Sequence, residues 1–212
     1  MQYSYDDRSV VVVNSYYQPF ANMTVVARVL NLDMAEKFIR RIKVDLEEDS
    51  STRALTLPEI EGLSSTYFVS LELQDPSDHP VSRNLYWLST KAETLDWEKS
   101  TWYVTPTKAF ADYTALNGLP QTEMQGAAQS KPGESTVTLT NTGKAIAFGV
   151  HLKVKKGADG DEVLPVLWED NYFSLLPGET SEVTATYSAR DMGQAKPVVE
   201  VEGWNCKRAV VK

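Results

Sequence analysis

Hydrophobic and polar residues alternate with a period of two through much of this chain. Ser9 to Ser15 reads as a strand that ends at the turn former Asn14. Met23 to Asn31 sets Val25, Ala27, Val29 and Asn31 against Thr24, Val26, Arg28 and Leu30. Phe38 to Leu46 carries Phe38, Arg40, Ile42, Val44 and Leu46 on one face, and Phe68 to Leu73 repeats the pattern. Period-two runs bounded by Asn, Asp, Pro and Gly clusters predict half-buried strands of the kind that build sandwiches.

The same order of elements then recurs. The first half runs strand, Asn14-Ser15, a turn with Pro19 and a long strand. The second runs Thr136 to Thr140, Asn141-Thr142-Gly143, a turn, and Phe148 to Lys155. A Leu-Pro element follows in each half: Leu57-Pro58-Glu59 before Tyr67 to Leu73, and Leu176-Pro177-Gly178-Glu179 before Val183 to Tyr187. The offsets are 127 residues for the Asn pair and 119 for the Pro pair. Two immunoglobulin-like sandwiches of ~100 residues each account for such spacing; a single large β-barrel is the rival reading. The predicted architecture is all-β, with sandwiches over 1–90 and 121–212 and a connector over 91–120.

The connector differs in kind. It holds Trp97, Trp102, Pro106 and Pro120, and Thr107 to Leu116 places Phe110, Tyr113 and Leu116 at helix-like intervals. This predicts an aromatic-rich connector with one short helix, ended by Asn117-Gly118. Flexible linkers are Gly/Ser-rich and poor in aromatics, so Trp97, Trp102, Tyr103, Phe110 and Tyr113 are expected to pack between domains.

Composition strengthens the β reading and narrows the partners. Val (22), Thr (18), Ile (4) and 21 aromatic residues favour a pleated, half-buried surface. The formal charge is −8, which argues against nucleic acid or an anionic membrane surface as partner. No apolar run outlasts Val10 to Val13, far short of the ~18 residues that span a bilayer, and no signal-peptide pattern opens the sequence. One cysteine, Cys206, forms no internal disulfide, and two histidines do not furnish a histidine-rich metal cage.

Candidate chemistry is sparse. His79 lies in the turn-like Asp75-Pro76-Ser77-Asp78-His79-Pro80 and His151 inside a strand, neither beside a nucleophile motif. Cys206 reads as a packed free thiol near a strand end. Gly157-Ala158-Asp159-Gly160-Asp161 reads as a hairpin turn, with adventitious Ca²⁺ the minor alternative, since an EF-hand needs more oxygen ligands and a terminal Glu. Glu47-Glu48-Asp49 reads as a solvated turn. In Trp168-Glu169-Asp170-Asn171-Tyr172, two acids stand among aromatics able to stack on a sugar; a turn with aromatic core plugs is the other reading. No catalytic residue, metal ligand or cofactor site is assigned.

Asn84 to Pro120 (NLYWLSTKAETLDWEKSTWYVTPTKAFADYTALNGLP) is more specific. It resembles the segment after the catalytic barrel in glycoside hydrolase family 2 enzymes of the exo-β-glucosaminidase and mannosylglycoprotein endo-β-mannosidase type. The matching residues are Tyr86 to Thr90, Leu95 to Trp97, Ser100 to Pro106 and Ala111 to Leu116. Leu164 to Glu179 (LPVLWEDNYFSLLPGE) is similar to a strand pair of the family's final Ig-like domain, and Tyr3 to Pro19 to the chain leaving the barrel. The resemblance implies retaining hydrolysis of a β-glycosidic bond by the parent enzyme. Its (β/α)₈ barrel alone needs ~250 residues, so the barrel and both catalytic carboxylates are expected to lie outside this sequence.

The resemblance therefore implies a structural accessory region whose partner is the missing barrel. Trp168, Asp170 and Asn171 are the residues expected nearest the substrate of the intact enzyme. Oligo- or polysaccharide is the second expected partner, and a periplasmic or secreted location is implied by the family alone. The rival class is an autonomous carbohydrate-binding module gripping sugar through a flat row of exposed aromatics, with Trp87 and Trp204 expected in the core. An adhesin-like Ig protein is a third class.

Overall fold

The computed structural model describes residues 1–211, and they form two compact units that divide after Gly118. The first unit packs two sheets face to face. One holds β1 (Gln2–Tyr3), β2 (Ser9–Asn14) and β5 (Ser50–Thr56) in the order β1-β2-β5. The other holds β3 (Phe20–Asn31), β4 (Glu36–Leu46), β6 (Thr66–Gln74) and β7 (Pro80–Ser89) in the order β4-β3-β6-β7. Alternation puts Val10 and Val12 of β2 against Val25, Ala27 and Val29 of β3 and Val69, Leu71 and Leu73 of β6. Burying side chains of this size stabilises by about 1.5–3 kcal/mol each.

The second unit, from Leu119 onward, has the same plan. One sheet orders β10 (Met124–Lys131), β11 (Glu134–Asn141), β15 (Thr180–Tyr187) and β13 (Val166–Trp168) as β10-β11-β15-β13. The other orders β12 (Ala147–Lys156), β14 (Phe173–Leu175), β16 (Pro197–Gly203) and β17 (Cys206–Val211) as β14-β12-β16-β17. Val137, Leu139, Val150, Leu152, Val183, Val199 and Val201 fill its core. A four-residue helix, α1 (Ala189–Met192), precedes β16. The fold is all-β, two Ig-like sandwiches as the alternation predicts.

Two expectations are corrected. The connector's short helix is confined to its end rather than running over Thr107 to Leu116. Thr107–Ala109 is strand β9, paired with β8 (Thr94–Leu95), and only Thr114–Gly118 coils, as a 3₁₀ turn that buries Leu116. The cause is Asp112: its Oδ1 accepts from the Thr114 N–H (3.0 Å) and hydroxyl (2.6 Å), starting the turn there. The Leu-Pro elements are not equivalent either. Pro58 follows β5, whereas Pro177 lies between β14 and β15, the counterparts of β4 and β5. Asn14 and Asn141 are equivalent, each buried at the end of its unit's second strand.

Candidate functional site

The turn from β13 to β14 positions the three residues expected nearest substrate. Trp168 is half-buried at the end of β13 and packs on Val154, Val163, Ala185 and the main core of its unit. Asn171 acts as a strand surrogate: its Oδ1 accepts from the Leu152 N–H (2.8 Å) and its Nδ2 donates to the Leu152 carbonyl (3.0 Å). Both side chains are thus committed to the fold. Asp170 is exposed, with no side-chain partner among the described residues. Glu169 stays local, its Oε2 accepting from the Thr184 N–H (3.0 Å).

Tyr172 adds what the sequence reading missed. With φ of 59° it turns its ring flat onto His151, at a centroid distance of 4.3 Å and an interplanar angle of 14°. His151 Nδ1 stands 3.3 Å from Glu202 Oε1, and Lys153 Nζ donates to the same oxygen. One register step along, Lys155 and Arg208 face Glu200 at 3.5 and 2.7 Å. The hydrogen bond to Glu202 raises the Lys153 pKa and lowers that of Glu202. Burial pushes the Glu200 carboxyl up, but the hydrogen bond and charge of Arg208, with Lys155 behind them, hold it below the usual range. The signal lay in the complementary alternations His151-Lys153-Lys155 and Glu200-Glu202, which acquire meaning only once β12 and β16 are known to pair. The outcome is a paired charge ladder with every acid matched to a base.

Nucleophilic chemistry finds no support in the remaining candidates. His79 is exposed in its turn, 3.3 Å from Asp75. Cys206 is buried, and desolvation pushes its thiol up to about 11, which suppresses the reactive thiolate. Gly157 to Asp161 is the hairpin turn expected, closed by a hydrogen bond from Lys156 N–H to the Asp161 carbonyl at 2.9 Å. Among the described residues no group of three or more His, Cys, Asp or Glu is placed to hold a metal.

Four of the five connector aromatics lie open, and Tyr113 is the least exposed at 36%. Trp97 is 71% exposed, Trp102 93% and Phe110 70%, and Tyr103 is similarly bare. Trp102 and Tyr103 meet edge-on at 88°, which does not make the flat platform on which successive sugar rings stack. Trp87 and Trp204, expected in the core, are corrected to half-exposed positions: Trp87 lies on the edge strand β7, and Trp204 at the β16–β17 turn.

Comparison with known proteins decides the kinship. Residues 102–206 match the exo-β-D-glucosaminidase Ig-fold domain, and residues 6–90 the mannosidase Ig/CBM-like domain. The exo-β-D-glucosaminidase of Amycolatopsis orientalis is 45% identical over 97% of this chain, which spans 21% of that enzyme. This chain belongs to the Ig-fold domains of the exo-β-glucosaminidase family. The crystal structure of the A. orientalis exo-chitosanase superposes with a TM-score of 0.92 at 43% identity, covering 99% of this chain and 26% of that one. The mannosylglycoprotein endo-β-mannosidase of Lilium longiflorum is 25% identical over 93% of this chain, which spans 26% of its length. The chain therefore spans about a fifth to a quarter of these relatives and corresponds to their Ig domains. The catalytic barrel is not among its described residues.

Proposed function

We propose that this chain is the non-catalytic accessory region of a retaining β-glycoside hydrolase acting on β-linked glucosaminides or mannosides, and that its partner is the enzyme's catalytic barrel. The observation that carries this reading is the bare connector: Trp97, Trp102, Tyr103 and Phe110 are large rings that remain mostly exposed. Fully burying such rings is worth about 1.5–3 kcal/mol each, and a barrel surface is the covering that the family relationship favours. On this reading Asp170, at the exposed tip of the β13–β14 turn, is the member of the Trp168, Asp170 and Asn171 set free to face the substrate cleft. A periplasmic or secreted location accompanies a polysaccharide-degrading role.

The rival reading is an autonomous carbohydrate-binding module, favoured by the CBM-like description of the first domain's family. Calorimetric titration with chitosan, mannan and galactan oligosaccharides separates the two. The accessory reading predicts no binding heat from the isolated chain, and saturable binding overturns it in favour of the module. In the intact enzyme, Asp170→Ala is expected to weaken substrate affinity or turnover; unchanged values for both remove Asp170 from the cleft.

A further inference from the structure

The end of the first sandwich that carries the β1–β2 turn holds a cavity of about 350 Å³, within the range of small-ligand sites. No residue before Tyr3 lines it. Val29, Leu57, Val69 and Leu88, all buried in the first core, form its apolar floor. Tyr3, Tyr67 and Arg8 stand on its polar wall. Tyr3 is only 8% exposed, and neither its hydroxyl nor that of Tyr67 has a hydrogen-bond partner among the described residues. Burial raises the pKa of both phenols against the opposing charge of Arg8, so both are protonated donors at neutral pH beside a guanidinium. Arg8 is fixed by its backbone. Its φ of 58° is a left-handed value that non-glycine residues seldom adopt. Its N–H donates to the Ser4 carbonyl and its carbonyl accepts from the Leu57 N–H, both at 2.9 Å. The neighbouring acids leave its guanidinium available. Glu59 Oε1 is 3.7 Å away on a 90% exposed side chain, beyond hydrogen-bond reach. Asp7 is spent on the Ser9 N–H (3.0 Å) and Arg53 (2.7 Å). Ser89 and Thr90, also on the wall, bond locally: Ser89 Oγ accepts from the Lys91 and Asp112 N–H groups, and the Thr90 hydroxyl donates to the Ser65 carbonyl.

We propose that this cavity is a binding site for a small organic monocarboxylate, whose carboxylate accepts from Tyr3, Tyr67 and Arg8 and whose apolar body lies on Val29, Leu57, Val69 and Leu88. Three donors meet there without a matched acceptor, and a carboxylate brings about four lone-pair sites, enough for two phenols and a guanidinium. Hydrogen bonds to a charged acceptor are the stronger kind. The floor sets the rest of the ligand, because apolar surface gains about 25 cal/mol for each Å² removed from water. Inorganic phosphate would leave that floor unused. A neutral sugar lacks the charge that draws Arg8 from the loosely held Glu59.

The test follows the methyl resonances of Leu57, Val69 and Leu88 while the chain is titrated with 3-phenylpropanoate, its amide and inorganic phosphate. Saturable shifts with the acid are expected at a Kd below ~1 mM. The amide is expected to bind at least ~10-fold more weakly, because a neutral acceptor makes weaker hydrogen bonds. Arg8→Asn keeps a residue that tolerates the left-handed turn and is expected to weaken acid binding ~10-fold, with a smaller effect on the amide. Tyr67→Phe keeps the ring packing and is expected to weaken acid binding ~5-fold. No saturable shift up to ~10 mM acid, an amide that binds as tightly as the acid, or phosphate that displaces the acid at equal concentration overturns the proposal. Unchanged acid affinity in both variants overturns it as well. None of these readouts involves sugar or the barrel, so the outcome is independent of the accessory reading.

Discussion

In the first sandwich, Asn14 ends β2 and donates through Nδ2 to the carbonyls of Gln18 (2.9 Å) and Glu47 (2.7 Å), while its Oδ1 accepts from the Tyr16 N–H at 3.0 Å. In the second, Asn141 ends β11 and donates to Ala145 (2.8 Å) and Leu175 (2.9 Å), its Oδ1 accepting from the Gly143 N–H at 3.0 Å. The partners fall two, four and thirty-three or thirty-four residues along in both. One side chain thus pins a strand end, the following turn and a distant strand end in each unit. The second unit adds a hydrogen bond from the Thr122 hydroxyl to Asn141 Oδ1 at 2.9 Å and buries the group completely. The lesson is that the shared device holds each sandwich's interior, and that the second sandwich also ties it to the segment before β10 through Thr122.

The comparison can be pressed hardest at the asparagines. Asn141→Ala leaves several buried backbone and side-chain groups unpaired, each costing about 1–3 kcal/mol. A loss of about 3 kcal/mol is expected in denaturant unfolding of the second sandwich. Asn14→Ala, with fewer partners and slight solvent access, is expected to cost about 2 kcal/mol. Equal, negligible losses at both sites would show that the turns hold themselves without the amides.

Charge separates the sandwiches more gently. The folded pKa of Glu200 lies below its unfolded value, so its stabilising contribution is complete above the unfolded carboxylate range and is lost as pH falls through the folded value. Glu200→Gln is expected to flatten the acid side of the second sandwich's stability profile. At neutral pH it costs on the order of 1 kcal/mol, since the partner Arg208 is half-exposed and screened. An unaltered acid limb in pH-dependent urea melts would remove this pair from the account. Smallest in energy is Cys206: with its thiol raised to about 11, it is expected to resist a thiol reagent at pH 8 until the chain is unfolded, and prompt labelling of the native chain contradicts the packing described.

Strands were legible because period-two alternation is a direct consequence of pleating, and Val25, Ala27 and Val29 all lie on the face it assigns. The Asn repeat was legible too, since the same local turn needs the same side chain. The spacing of Phe110, Tyr113 and Leu116 misled, because three apolar residues can meet helical intervals while a short side chain, Asp112, hydrogen-bonds the backbone into a turn instead. The Leu-Pro pair misled because proline marks any loop without saying which strands it joins. At the candidate site, Asp170 was recognisable as an acid among aromatics. The structural employment of Trp168 and Asn171 was not, because it depends on long-range partners such as Leu152 that only the register of the sheet brings close.

The central claim is that glycosidic chemistry resides outside these 212 residues. Its most direct test is a reducing-end assay of the isolated, purified chain on chitosan and mannan oligosaccharides. The account predicts no release above buffer. Sustained release that co-elutes with the chain, and survives removal of contaminating hydrolase, would contradict it.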